Sequence, residues 1–171
     1  CKRMINRENG HRPCRKDGTT PLYMAAAYGH LEICKMIIKS VYDKNPASNI
    51  DGGTPLYVAA YKGHFEICKL IIESVDDKNP ATNDGFTPLY IAATNGHLEI
   101  CKLIIMSVDA KNPARKDGTT PLYMAAAYGH LEICKIIIKS VYDKNPASNM
   151  DVGTPLYVAA YKGHFEICKL N

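Results

Sequence analysis

Asp17-Gly18-Thr19-Thr20-Pro21-Leu22-Tyr23 is followed closely by Gly29-His30-Leu31-Glu32-Ile33-Cys34. The rest of the chain repeats this pair of phrases. Thr-Pro-Leu-Tyr returns at Thr54, Thr87, Thr120 and Thr154, in steps of 34, 33, 33 and 34 residues. Gly-His returns in phase at Gly63, Gly96, Gly129 and Gly163. A fixed period of this length predicts a stack of small units, each packed only on its neighbours.

Each unit has the same local logic. Asp17-Gly18 marks a tight turn, because glycine supplies the positive φ that such turns use. Thr20 is suited to the N-cap of a helix and Pro21 to its first position, where a missing N–H costs nothing. Leu22, Ala25 and Ala26 share one face at helical spacing, and Gly29 is placed to stop this short helix. A second helix is predicted from about Leu31 to Ser40, with Leu31, Cys34, Ile37, Ile38 and Val41 on its apolar face and Ile33 widening it. Glu32 and Lys35 sit three apart on its outer side and recur as a solvated column. Asn45-Pro46 closes the unit, since the residue before proline resists helical geometry. Helices this short are marginal alone, so stacking is what stabilises them.

The divisions that follow are 1–15 (the end of a preceding unit), 16–49, 50–82, 83–115, 116–149 and a shortened 150–171. Residues 1–14 align with 101–114, and the chain stops again at Cys168-Lys169-Leu170-Asn171. Both ends therefore fall inside a unit, which predicts a piece of a longer array.

Composition narrows the function. The formal charge of +4 is uneven: residues 1–16 carry six basic residues against Glu8 alone, and the remainder carries 15 basic against 16 acidic. Neutral units lack the basic stripe that tracks phosphates, so a nucleic-acid partner is not expected. No apolar run reaches the roughly 18–20 residues that span a bilayer. Cys34, Cys68, Cys101, Cys134 and Cys168 hold one repeat position in an apolar pattern. Stacked helices lie about 8–10 Å apart, whereas a disulfide needs Cα atoms within about 7 Å. They are expected to be small buried hydrophobes, which favours a reducing intracellular setting, cytoplasmic or nuclear.

Asp-Gly-x-Thr-Pro-Leu-x-x-Ala-Ala-x-x-Gly-His-x-Glu-Ile at a 33–34-residue period closely resembles the ankyrin repeat. The resemblance covers essentially the whole chain. It implies an all-α solenoid of stacked helix-turn-helix modules joined by β-turn or hairpin loops. It also implies a non-enzymatic scaffold that binds a partner protein on its concave face. Three departures stand out. Tyrosine (Tyr23, Tyr57, Tyr90, Tyr123, Tyr157) replaces the family's histidine after Thr-Pro-Leu. Valine (Val41, Val75, Val108, Val141) replaces the glycine after the second helix. Asp151-Val152 replaces Asp-Gly, which predicts a changed turn or a shift of the left-handed residue onto Gly153.

Catalytic and metal chemistry are not expected. His30, His64, His97, His130 and His164 accompany the cysteines, but one unit offers two of the four ligands that zinc takes. The histidines are expected to hydrogen-bond within the turns between helices. No phosphate-cradling glycine motif occurs, and five equal Cys–His pairs argue against a single active site. Neither a cofactor nor a small-molecule substrate is expected.

Recognition remains. The resemblance places the partner-facing positions at Ala27-Tyr28, Tyr61-Lys62, Thr94-Asn95, Ala127-Tyr128 and Tyr161-Lys162, each pair lying between Ala-Ala and Gly-His and changing along the chain. Phe86, Ile50 and Met150 add apolar groups at the turns. Tyrosines bury large area and keep a polar tip; the alternative is that they pack on neighbouring units. Two other functions stay open: the targeting arm of a larger enzyme, receptor or channel, and a structural spacer. Finally, residues 15–70 match 115–170 at all but 3 of 56 positions, so any binding surface in the first copy is expected twice.

Overall fold

The computed structural model describes residues 18–48, 50–146 and 153–170. The turn at Asp17, the opening stub, Met150, Asp151, Val152 and Asn171 lie outside the described residues. Ten helices run in order: α1 (Pro21–Ala27), α2 (Leu31–Ile38), α3 (Pro55–Lys62), α4 (Phe65–Ile72), α5 (Pro88–Asn95), α6 (Leu98–Ser107), α7 (Pro121–Ala127), α8 (Leu131–Ser140), α9 (Pro155–Lys162) and α10 (Phe165–Cys168). The described residues contain no strand. Each odd-numbered helix packs on the next odd one, each even-numbered helix on the next even one, and the two helices of a pair pack together. The result is two layers of helices stacked in chain order.

Local chemistry starts the first helix of each pair. The hydroxyl oxygens of Thr20, Thr54, Thr87, Thr120 and Thr154 accept from the N–H of the tyrosine three residues on, at 3.1–3.2 Å. The threonine cap therefore needs only the backbone of the following tyrosine, so the loss of histidine there leaves it intact. The same helices stop where Gly29, Gly63, Gly96, Gly129 and Gly163 take φ of +75° to +79°.

The second helix ends without glycine. Ser74 and Ser107 donate to the carbonyls of Leu70 and Leu103 at 2.8 and 2.7 Å, and Ser40 and Ser140 donate to Ile37 and Ile137, each at 2.8 Å. These hydroxyls occupy carbonyls left over in the last turn. Val108 and Val141 then leave in extended geometry at φ −131° and −122°, a region that β-branched residues favour.

Asparagine joins one pair to the next. The Oδ1 atoms of Asn45, Asn79, Asn112 and Asn145 accept from the N–H of Leu56, Leu89, Leu122 and Leu156 at 2.9–3.0 Å. Each closes a loop and satisfies an otherwise orphaned donor in the following first helix. Sequence reasoning gave these asparagines only a helix-ending role.

The core is one seam between the layers. Leu56, Leu89, the alanine pairs 59/60 and 92/93, and Cys34, Cys68, Cys101 and Cys134 are fully buried. All four thiols are free, and burial pushes Cys34 up to about 11 and the other three up to about 12. Ile67, Ile100 and Ile133 are each 2% exposed, whereas Ile33, in the first described pair, is 43% exposed. The outer Glu/Lys pairs at 32/35, 99/102, 132/135 and 166/169 close at 2.6–2.8 Å and, being exposed, are worth a few tenths of a kcal/mol each.

At the loop tips the expected turns form. Thr82 and Arg115 donate to the carbonyls of Phe86 and Thr119 at 2.8 and 2.9 Å across Gly85 and Gly118, and Ser48 donates to Gly53 at 2.9 Å. Gly52 takes φ +72° at its turn and Gly153 takes φ +80°; the rest of the turn before Gly153, residue 152 included, lies outside the described residues.

Candidate functional site

The histidines form the contact that orients successive pairs. His64, His97, His130 and His164 point their Nε2 atoms at the carbonyls of Ala27, Tyr61, Thr94 and Ala127, at 3.3, 3.2, 3.0 and 3.2 Å. A carbonyl only accepts, so Nε2 carries the proton in each. These partners lie 36–37 residues away, in the preceding pair. The expected bond within the inter-helix turn is replaced because stacking carries each imidazole over the preceding glycine, where the end of the previous first helix has unpaired carbonyls. A methyl group on Gly63 or Gly96 would stand 2.7 Å from the His97 or His130 ring.

This bond fixes the ends of the first helices and thereby the furrow between them. Between α1 and α3 lies a groove of about 430 Å³, lined by Tyr23, Met24, Ala27, Tyr28, Tyr57, Val58, Tyr61 and Lys62. It brings together four of the residues singled out from sequence: Ala27, Tyr28, Tyr61 and Lys62. Tyr28 and Tyr61 are 68% and 46% exposed. Lys62 holds its ammonium 5.0 Å from the Tyr61 ring centroid, and Tyr28 stacks on His30 at 6.2 Å.

Sequence reasoning missed Tyr23, Met24, Tyr57 and Val58. A helical signal for them exists, because each stands four residues before a residue that was singled out and so shares its face. The tyrosines recur in every unit and read as scaffold for that reason. Burial, followed by the charge of Asp51, pushes the Tyr23 hydroxyl up. Burial, then Asp51, then neighbouring tyrosines push up Tyr57 against an opposing pull from Arg115. Both hydroxyls thus keep their protons at neutral pH and remain donors.

The recurring tyrosine plays a different part in the third pair. Tyr90 is 3% exposed and its hydroxyl lies 3.2 Å from Thr119 Oγ1. Thr119 donates its own proton to Asp117 at 2.6 Å, so Tyr90 is the donor to Thr119. Burial raises the Asp117 carboxyl, but the hydroxyl and N–H of Thr119 and the Arg115 guanidinium outweigh it and hold the carboxyl below its usual value. Arg115 pairs with Asp117 at 2.6 Å and covers the Phe86 ring at 3.9 Å. The tyrosine after Thr-Pro-Leu here bridges to the next turn. In the second pair the position of Thr119 is held by Gly53, which has no side chain to receive such a bond.

The other expected binding positions lie apart from the groove. Phe86 is half-buried between Arg115 and Tyr90. Thr94 donates to the Tyr90 carbonyl at 2.8 Å, and Asn95 is exposed. Ala127 at the end of α7 and Tyr128 just after it, with Tyr161 and Lys162 on α9, repeat the residue types of the first groove; Tyr128, Tyr161 and Lys162 are exposed and Ala127 is half-buried. Ile50 is exposed at its turn.

Among the described residues no three His, Cys, Asp or Glu side chains converge as a metal site would require. No described helix is long and apolar enough to cross a membrane. A family model for ankyrin repeats (three copies) matches residues 1–81, 40–115 and 106–170. A comparison with curated proteins finds no match.

Proposed function

This chain belongs to the ankyrin-repeat family, and from that premise we propose that it is a non-enzymatic scaffold holding a partner protein against the exposed face of its first helices, with the α1–α3 groove as the principal contact. Repeats of this family are protein–protein interaction modules and typically non-catalytic. The observation that carries the finer reading is the groove itself, about 430 Å³ with four tyrosines among its lining residues. Buried tyrosine at the centre of an interface contributes large contact area for little lost rotamer entropy, which is why binding energy concentrates there. The caps, turns and seam take most of the fixed residues of each repeat, and the recurring Tyr23 and Tyr57 join the changing Tyr28, Tyr61 and Lys62 on this face.

The test is selection of a random linear-peptide display library on the intact 171-residue chain, followed by titration of each clone against the Tyr28→Ala/Tyr61→Ala double variant. Clones that bind the chain and lose at least tenfold in affinity on the variant support the groove. Recovery of no such clone overturns it. A melt of the variant close to that of the parent chain establishes that the loss is local.

A further inference from the structure

The tyrosine after Thr-Pro-Leu has two fates, and the residue that differs lies in the next repeat. Tyr90 is 3% exposed and donates to Thr119, the residue just before Thr120-Pro121. In the repeats that follow Tyr23 and Tyr57, the position of Thr119 is held by Gly53 and Phe86, neither of which has a hydroxyl. Tyr23 and Tyr57 stay half-buried and line the α1–α3 groove. Neither phenol has a hydrogen-bond partner among the described residues. A hydroxyl in the following turn thus goes with a buried, bonded tyrosine, and its absence with an open one.

The backbone at Gly53 matches that at Thr119. The Gly53 N–H donates to Asp51 Oδ1 at 2.9 Å, and the Thr119 N–H donates to Asp117 Oδ1 at 2.9 Å. Gly53 lacks the positive φ of its neighbour Gly52, so the turn itself does not call for glycine there. A Cβ on Gly53 would stand 3.1 Å from Asp51 Oδ1, the exposed carboxylate whose counterpart accepts from the Thr119 hydroxyl at 2.6 Å. The charge of Asp51 already reaches the Tyr23 hydroxyl. A threonine at residue 53 would therefore find both partners of the Tyr90 arrangement in place. Glycine withholds the hydroxyl, and an unpaired phenol in a groove is a donor that a bound peptide can satisfy through a backbone carbonyl.

We propose that Gly53 is a specificity-determining residue of the α1–α3 groove: by withholding the hydroxyl that Thr119 supplies to Tyr90, it leaves the Tyr23 phenol to donate to a carbonyl of the bound partner. This rests on the groove being a protein-docking site, and its test separates the two. Gly53→Thr is made in the parent chain and in Tyr23→Phe, and each protein is unfolded in urea and titrated with groove-dependent clones from the peptide library. Replacing glycine stiffens the unfolded chain whatever stands at residue 23, so the difference between the two backgrounds carries the answer. The expected result is a larger rise in the urea midpoint in the parent chain than in Tyr23→Phe. Clone affinity is expected to fall about fivefold on Gly53→Thr in the parent chain, the worth of one hydrogen bond, and roughly twofold or less in Tyr23→Phe, which has already lost the donor. Equal midpoint shifts in the two backgrounds overturn the lock and with it the proposal, and leave the docking site standing. A midpoint difference without loss of affinity overturns Tyr23 as the partner's donor and likewise the proposal. Equal affinity losses in the two backgrounds assign the effect to the bulk of threonine and overturn it too. Absence of any groove-dependent clone overturns the docking site and the proposal together.

Discussion

His97 Nε2 donates to the carbonyl of Tyr61 at 3.2 Å, and its ring occupies the space that a side chain on Gly63 would need. One side chain thus ties two helix pairs together directly beside a groove residue. The relationship repeats between His130 and Gly96 and between His164 and Gly129.

Gly63→Ala combines two costs, a left-handed backbone at φ +78° and a methyl group 2.7 Å from the His97 ring. Gly163 has the same φ of +78° and nothing within 4 Å. Gly163→Ala is expected to lose about 1–2 kcal/mol for the backbone alone, and Gly63→Ala roughly 2–4 kcal/mol once overpacking is added. Urea denaturation of the two variants measures the difference. Equal losses would show that the imidazole yields without cost.

Asn79→Ala removes the acceptor for the Leu89 N–H, 2.9 Å away at the start of a fully buried leucine. The expected loss is about 1–2 kcal/mol, the cost of a buried donor left unpaired. Asn79→Asp keeps the acceptor and places an anion near a helix N-terminus, so it is expected to recover most of the stability. Equilibrium unfolding of the pair measures this, and equal losses in the two variants would show that Asn79 does not act through its side-chain acceptor.

The buried thiols link stability to alkaline pH. Their folded values are raised to about 11 for Cys34 and about 12 for Cys68, Cys101 and Cys134, while an unfolded thiol titrates near about 8.5. A raised folded value means that the native state holds its proton where the unfolded chain has lost it. Stability from this source is complete below about pH 8.5 and falls as pH rises toward the folded values. Denaturation midpoints at successive pH values from 7 to above 10 should decline, and a Cys68→Ala/Cys101→Ala variant should decline less steeply. Labelling by a thiol reagent at pH 8 should be slow for these four residues until the chain is unfolded.

The second copy of the groove residues predicts a second site. Tyr128, Tyr161 and Lys162 stand three repeats from Tyr28, Tyr61 and Lys62, a separation of about 25–30 Å at 8–10 Å per layer. Calorimetry with a peptide selected on the first groove should find two equivalents per chain, falling to one in Tyr161→Ala. Joining two such peptides by a linker that spans the gap should raise affinity well beyond either alone. One equivalent in both the parent and the variant would show that the copies have diverged in use.

Most of the fold is legible in the sequence because the interactions that set it are short in chain terms. Thr20 caps α1 through a bond to a residue three positions on, Pro21 begins it, and Gly29 ends it; each choice is made within one turn of helix. The period of 33–34 residues then dictates stacking, because no single pair of helices buries enough apolar surface to persist alone. The tertiary structure decided what these residues meet in the next repeat. Nothing local tells His97 to seek a carbonyl 36 residues back, Asn79 to cap a helix ten residues ahead, or Tyr90 to bridge a turn while Tyr23 lines a furrow. Those outcomes depend on the offset between stacked helices, and that offset exists only once the seam has packed.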